Sequence, residues 1–230
     1  MKTKVVVFDF DGTLSKRGDK INSWAKVWAA LNDEETDYKY YKMFKNGEID
    51  DEQWDKLVEK RFFELELKEK MLDGIAEKIQ LIPGLDDTFK ILKNNHIKIY
   101  VLSGGVKNLI VTALKPYEEL ITNIEGRWFS FQNGNFAGFD DMDKRLDEKH
   151  NYINYLKEKH GINGEEVLFV GNGANDQTVY LSGARTLCIN PDDADYKNKK
   201  YWDFYMENCE NLTEIIPFLE KEKQREDLQK

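Results

Sequence analysis

Four short apolar runs, each ending in a polar or glycine-rich turn, constrain this chain more than any other feature. They read VVVFDFDG (5–12), IKIYVLSGG (97–105), EVLFVGNGAND (166–176) and RTLCINP (185–191). Runs of this length, rich in β-branched residues and separated by helix-like stretches, predict strands of a parallel sheet buried on both faces. In open sheets of this class, ligands bind beyond the carboxyl ends of the strands. Each run carries its polar cluster at that end. Asp9, Asp11, Ser103, Asn172 and Asp176 are therefore expected to converge on one crevice. The fold class is α/β.

The stretch between the first two runs has a different texture. Ile21, Trp24, Ala25, Trp28 and Leu31 recur at helical spacing, as do Trp54, Leu57, Val58, Arg61 and Phe62, and then Leu72, Ile75, Ala76 and Ile79. Asn46-Gly47 suits a helix end, and Asp50 or Asp51 suits an N-cap. Residues 15–80 read as a small helical unit inserted into an α/β core made of 1–14 and 81–230. Its aromatic residues are expected to form its own core. After Pro83-Gly84 breaks the chain, Leu85, Phe89 and Leu92 pattern a helix. Asn133-Gly134 between two aromatic runs predicts a hairpin, and Tyr152, Ile153 and Leu156 a helix ending near His160-Gly161. Pro217 interrupts a helical pattern, and the sequence leaves open whether it kinks that helix or starts it.

Composition excludes several functions. Of 230 residues, 40% are hydrophobic and 33% charged, and no apolar run approaches the roughly 20 residues that span a bilayer. A net charge of −9 disfavours nucleic acid and anionic membrane as partners. An anionic ligand would need local positive charge, such as a divalent metal and one placed lysine. Cys188 and Cys209 have no metal-ligand spacing and read as reduced structural residues, which points to the cytoplasm.

Against that background the two acids that close the first run, Asp9 and Asp11, need an explanation. An unpaired carboxylate in apolar surroundings costs several kcal/mol or protonates. Residues 9 and 11 share one side of a strand. A small hard cation such as Mg²⁺ favours carboxylates and substrate phosphate. If the strand ends between the two acids, one can ligate and attack while the other serves as acid and base. Gly12 allows a tight turn, and Thr13 can cap the departing chain.

DFDGTL (9–14), LSGG (102–105), a lysine before a helix and GNGAND (171–176) resemble, in order, the four motifs of the haloacid dehalogenase superfamily. The helical insertion and the wording SGG and GANDQ resemble its phosphoserine phosphatase-like branch. The resemblance implies a Rossmann-like parallel sheet with a helical cap, and a Mg²⁺-dependent phosphomonoester hydrolase acting on a small phosphorylated metabolite. It implies Asp9 as the nucleophile that forms an aspartyl-phosphate, with its other oxygen on the metal. Asp11 would protonate the leaving alkoxide, activate the hydrolytic water and ligate the metal through its carbonyl. Ser103 would bind a phosphoryl oxygen, with the amides of Gly104 and Gly105 at the start of a helix. Among Lys144, Lys149 and Lys157, Lys149 is the choice for the lysine that holds the nucleophile and the phosphate. It precedes a helix and lies 23 residues before Asn172, the separation typical of this branch.

Two departures stand out. The family has an acid where this chain has Asn172, followed four residues on by Asp176. Either Asp176 takes over as ligand, or the metal binds more weakly, or the position has been changed to disable the enzyme. Phosphoserine phosphatases also carry a glutamate soon after the first motif and an arginine in the cap. Here SKRGDK offers Arg17 and no glutamate, and Arg61 stands near the arginine's place. Phosphoserine itself, a phosphomutase reaction and a weakened ligand-binding pseudo-phosphatase are the alternatives. GNGAND lacks the third glycine of a dinucleotide loop, LSGGV is not a nucleophile elbow, and no histidine is patterned as a base for Ser103.

Overall fold

A computed structural model describes residues 2–16, 22–140, 148–191 and 196–223. Arg17, Ile21 and Lys144 lie outside the described residues. Eight strands are described: β1 (Val5–Phe8), β2 (Lys98–Val106), β3 (Asn123–Arg127), β4 (Phe129–Gln132), β5 (Asn135–Phe139), β6 (Val167–Gly171), β7 (Arg185–Ile189) and β8 (Phe204–Met206). Six of them form one parallel sheet in the order β3-β2-β1-β6-β7-β8. The four apolar runs supply its centre. β3 and β8 are edges that the sequence pattern did not show.

The chain leaves β1 toward β2 on one side and leaves β6 toward β7 on the other, so connections diverge between β1 and β6. That divergence opens a crevice at the strands' carboxyl ends. Register brings the motif ends level there, since Phe8 pairs with both Val101 and Val170. β1 stops at Phe8, before both acids rather than between them. The Asp9 amide still donates to the Val170 carbonyl at 2.9 Å, which fixes where the chain departs.

Alternation along β1 sends Val6 and Phe8 to one face and Val5 and Val7 to the other. The first face is covered by α5 (Leu85–Asn94) through Phe89 and Leu92, and by a 3₁₀ segment (Leu212–Leu219). Pro217 lies within that segment, which winds as a 3₁₀ rather than an α-helix. The second face is covered by α7 (Lys149–His160), with Tyr152, Ile153 and Leu156, and by Val179 of the 3₁₀ segment Ala174–Ser182. α7 ends at Gly161, whose φ of +61° suits a residue without a Cβ.

Between β1 and β2 run α1 (Ser23–Ala30), α2 (Glu34–Lys45), α3 (Asp51–Glu64) and α4 (Glu69–Ala76). Asp50 caps α3 in a reciprocal capping box with Gln53. Trp28, Val58, Phe62 and Leu72 form a cluster of their own with Phe129 and Phe136 of the β4–β5 hairpin and Leu109 of α6 (Lys107–Leu114). The hairpin turns at Asn133 and Gly134, both at positive φ. Cys188 and Cys209 are buried, and among the described residues neither forms a disulfide. Among the described residues, no helix is long and apolar enough to cross a membrane.

Candidate active site

Asp9 sits where β1 gives way to the crevice and is only 3% exposed. One carboxylate oxygen accepts from the Lys149 ammonium at 2.8 Å. Burial pushes the Asp9 carboxyl up to about 7, Lys149 pulls against that rise, and Asp176 and Asp11 add repulsion. Lys149 opens α7 and also reaches Asp176, at 2.5 Å. Burial alone would lower the lysine. The two carboxylates outweigh it and hold the ammonium above its ordinary range.

Asp176 is the anchor of this group. Its second oxygen accepts from the main-chain amides of Asn172 and Gly173, at 2.9 and 3.0 Å, so both oxygens are engaged inside the chain. The fold-back depends on Gly171, where a Cβ would stand 2.4 Å from that carboxylate. The fourth motif thus forms a tight turn around its own acid, with the acid's free side presented to Lys149.

Asn172 faces the first motif. Its amide nitrogen occupies the place where a Cβ on Gly12 would stand, 2.3 Å away, and Gly12 itself has a φ of +80°. Thr13 donates its hydroxyl to the Asn172 amide oxygen at 3.3 Å. The amides of Thr13, Leu14 and Ser15 all point to the Phe10 carbonyl and close the turn beneath. Thr13 therefore links two motifs rather than capping the chain.

Asp11 is held from the first turn of α1. Ser23 donates to it twice, from its amide to one oxygen at 3.0 Å and from its hydroxyl to the other at 2.6 Å. Burial raises the Asp11 carboxyl above its usual range, and the Ser23 bonds and the charge of Lys26 oppose the rise. Ser103 is buried and accepts from the Gly105 amide at 3.1 Å. Gly104 and Gly105 belong to the end of β2, not to the start of a helix as expected, because α6 begins at Lys107. Trp24 donates from its indole nitrogen to the Gly104 carbonyl at 2.9 Å.

The structure thus brings Asp9, Lys149 and Asp176 into direct contact, sets Asn172 beside Gly12, and places Ser103, Gly104 and Gly105 by the Asp11–Ser23 pair. Arg61 is directed elsewhere: its guanidinium bonds Asp33 at 2.7 Å and Glu64 at 3.0 Å within the helical insertion. Ser23 and Trp24 escaped the sequence reading because their partners lie 12 and 80 residues away. The Asn22-Ser23 pair at a helix start was the one local signal, and Asn22 does cap α1.

Among the described residues, no three His, Cys, Asp or Glu side chains gather as a metal centre. The oxygens suited to a hard cation are the second Asp9 carboxylate oxygen, the Asp11 carbonyl and the Asn172 amide oxygen. Asp9 fits such an ion. Its carboxyl is held near 7 by burial despite a lysine at 2.8 Å, and a cation is what would ionise it fully.

The family model for haloacid dehalogenase-like hydrolases matches residues 3–177. Among curated relatives, the phosphoserine phosphatase of Mus musculus is 27% identical over 99 residues, 42% of this chain and 43% of that protein. That of Archaeoglobus fulgidus is 31% identical over 192 residues, 81% of this chain and 52% of that protein. These matches span about half the length of the relatives or less. A solved structure of a phospho-aspartyl intermediate analogue of phosphoserine phosphatase superposes with a TM-score of 0.72 at 24% identity, covering 96% of this chain and 100% of that one. The fold is shared over most of the chain, and with the family model matched across all four motifs, the chain belongs to the haloacid dehalogenase-like hydrolases.

Proposed function

We propose that this chain is a phosphomonoesterase that hydrolyses a small phosphorylated metabolite of the cytoplasm through a phospho-aspartate on Asp9. The observation that carries the proposal is the buried Asp9–Lys149–Asp176 contact beside an Asp11 that is bonded by Ser23 instead of by the lysine. Two carboxylates in different environments are suited to different roles. Asp9 has a lysine to orient it as a nucleophile. Asp11 has a carboxyl raised by burial, as a proton donor requires.

In the first step an Asp9 oxygen bonds to phosphorus, the ester P–O bond breaks, and the Asp11 proton passes to the departing oxygen. In the second, a water oxygen bonds to phosphorus as the bond to Asp9 breaks, and Asp11 takes the proton from that water. Lys149 and Ser103 would hold phosphoryl oxygens while Asp176 holds Lys149. Mg²⁺ is the ion the Asp9, Asp11 and Asn172 oxygens suit, and when bound it would draw charge from the phosphoryl group. Asp176 is held through both oxygens by Lys149 and two main-chain amides, whereas the Asn172 amide oxygen accepts one long bond from Thr13, so Asn172 is the ligand we favour over it. Residues 15–80 act as the cap that excludes water and selects the substrate over a core of 1–14 and 81–230.

A second reading, phosphoserine as the substrate, is favoured by the names of the relatives. The test is phosphate release from p-nitrophenyl phosphate and a panel of phosphomonoesters including phosphoserine, with Mg²⁺ or EDTA. Release that depends on Mg²⁺ and disappears in Asp9→Asn is the expected result. No release from any ester overturns hydrolysis, and isomerised product in place of free phosphate identifies a mutase.

A further inference from the structure

Ser23 has no role in the two steps above, yet it is fully buried and makes three polar contacts at the centre of the site. Its amide and hydroxyl reach different oxygens of Asp11. Its hydroxyl oxygen also accepts from the Val106 amide at 3.0 Å, at the end of the strand that carries Ser103. The contact is enclosed. A Cβ on Gly105 would stand 2.3 Å from the Ser23 hydroxyl and 2.6 Å from an Asp11 oxygen. Next in the chain, Trp24 fastens the Gly104 carbonyl and packs edge-on against Trp54 and Phe139.

We propose that Ser23 is the residue that positions Asp11 for proton transfer, an inference that rests on the phosphomonoesterase reading. A lone aspartate turns about two side-chain bonds. Two donors from one residue, each on its own oxygen, set the plane of the carboxyl group. The third contact ties that plane to the turn at Ser103–Gly105, where the phosphoryl oxygens would lie. One hydroxyl thus keeps the proton donor and the phosphate-facing turn in a fixed relation. It also makes the donor's geometry depend on the first turn of α1, the first helix of the cap. Ser23 touches no reacting atom. It acts through Asp11 and through the proton that Asp11 gives to the departing oxygen.

A helix start that only supports the fold would affect all esters alike, and leaving-group chemistry separates the two cases. p-Nitrophenolate departs without being protonated, whereas an alkoxide needs the Asp11 proton. Single-turnover release of the leaving group, which reports the first step alone, is measured with Mg²⁺ as p-nitrophenol from p-nitrophenyl phosphate and as the alcohol from an alkyl phosphomonoester that the parent hydrolyses. Ser23→Ala and Ser23→Cys are compared with the parent, and Ser23→Thr is the hydroxyl-retaining control. Ser23→Cys keeps a heteroatom at the same place but donates only weakly, so the comparison stands if Ser23→Ala is poorly folded, and a circular dichroism melt accompanies each variant. The expected result is an alkyl-ester rate about 10- to 100-fold lower in Ser23→Ala and Ser23→Cys, part of the roughly 10²–10⁴-fold that a positioned proton donor supplies. The aryl-ester rate should change by less than about threefold, KM should hold, and Ser23→Thr should recover the alkyl rate. Equal losses on both esters, or a change in KM alone, overturn the positioning role while the hydrolase reading stands. A parent inactive on both esters overturns the hydrolase reading itself, and this role with it.

Discussion

Replacing Lys149 by methionine removes the one ammonium that two buried carboxylates share while keeping most of the side chain's length. Lys149 is 7% exposed and lies 2.8 Å from Asp9 and 2.5 Å from Asp176. Deleting one partner of a buried ion pair typically costs about 3–5 kcal/mol, because the remaining charge is left without compensation. A chain of this size loses about 2–4 °C of melting temperature per kcal/mol. Lys149→Met should therefore melt roughly 6–20 °C below the parent in EDTA at pH 8. The deficit should also depend on pH. The Asp9 carboxyl stands near 7 in the fold against 3.8 as an isolated side chain, with burial the largest cause and Lys149 the main restraint. Without the lysine it rises further. A carboxyl raised by folding carries no penalty below its unfolded value and the full penalty above its folded one. The deficit should thus be larger at pH 8 than at pH 5, with the loss of the Lys149–Asp176 contact persisting at both. Differential scanning calorimetry at the two pH values provides the measurement. A variant within about 2 °C of the parent at pH 8, or a deficit larger at pH 5, would refute the assignment of Lys149 as the balancing charge.

Two further outcomes follow from the same geometry. Asn172→Asp adds a carboxylate to a buried group in which Asp9 and Asp176 already share one lysine. Its melting temperature should fall in EDTA at pH 8 and rise more with Mg²⁺ than the parent's does, and equal Mg²⁺ shifts would exclude position 172 as a ligand. Arg185→Met should lower stability by about 3 kcal/mol or more with activity per folded molecule unchanged. The buried guanidinium donates to the carbonyls of Glu165, Phe218, Leu219 and Lys221 and to the Thr3 hydroxyl. A parent-like melt would show that these carbonyls find other partners.

What could be read from the sequence follows burial. The central strands β1, β2, β6 and β7 are covered on both faces, so each carries a largely apolar run. β3, with Glu125, Gly126 and Arg127, and the three-residue β8 lie at the edges, where one-sided pairing imposes no such run. α2 escaped for a related reason: it buries no residue, and Tyr38 and Tyr41 face solvent, so no inward stripe marks it. Asp9, Asp176 and Lys149 could be found because motif order and spacing fix them along the chain. Ser23 could not, since its partners Asp11 and Val106 meet only after the insertion has folded back. Arg61 matched a cap arginine by position alone, and its guanidinium is held by Asp33 and Glu64.

The place of β1 in the sheet has a consequence for how the chain is made. Val5–Phe8 is the first of the described strands and one of the two at the middle of the sheet, with every residue fully buried. Its neighbours are β2, which begins at Lys98, and β6, which begins at Val167. At synthesis rates of about 5–20 residues per second, β1 waits roughly 10–30 s before both sides can be covered. Through that interval the nascent chain carries four consecutive apolar residues with open hydrogen-bonding edges, ahead of the acids that will become the crevice. Slow translation or scarce chaperones should therefore lower the yield of this protein through aggregation of incomplete chains, well before the stability of the finished fold matters.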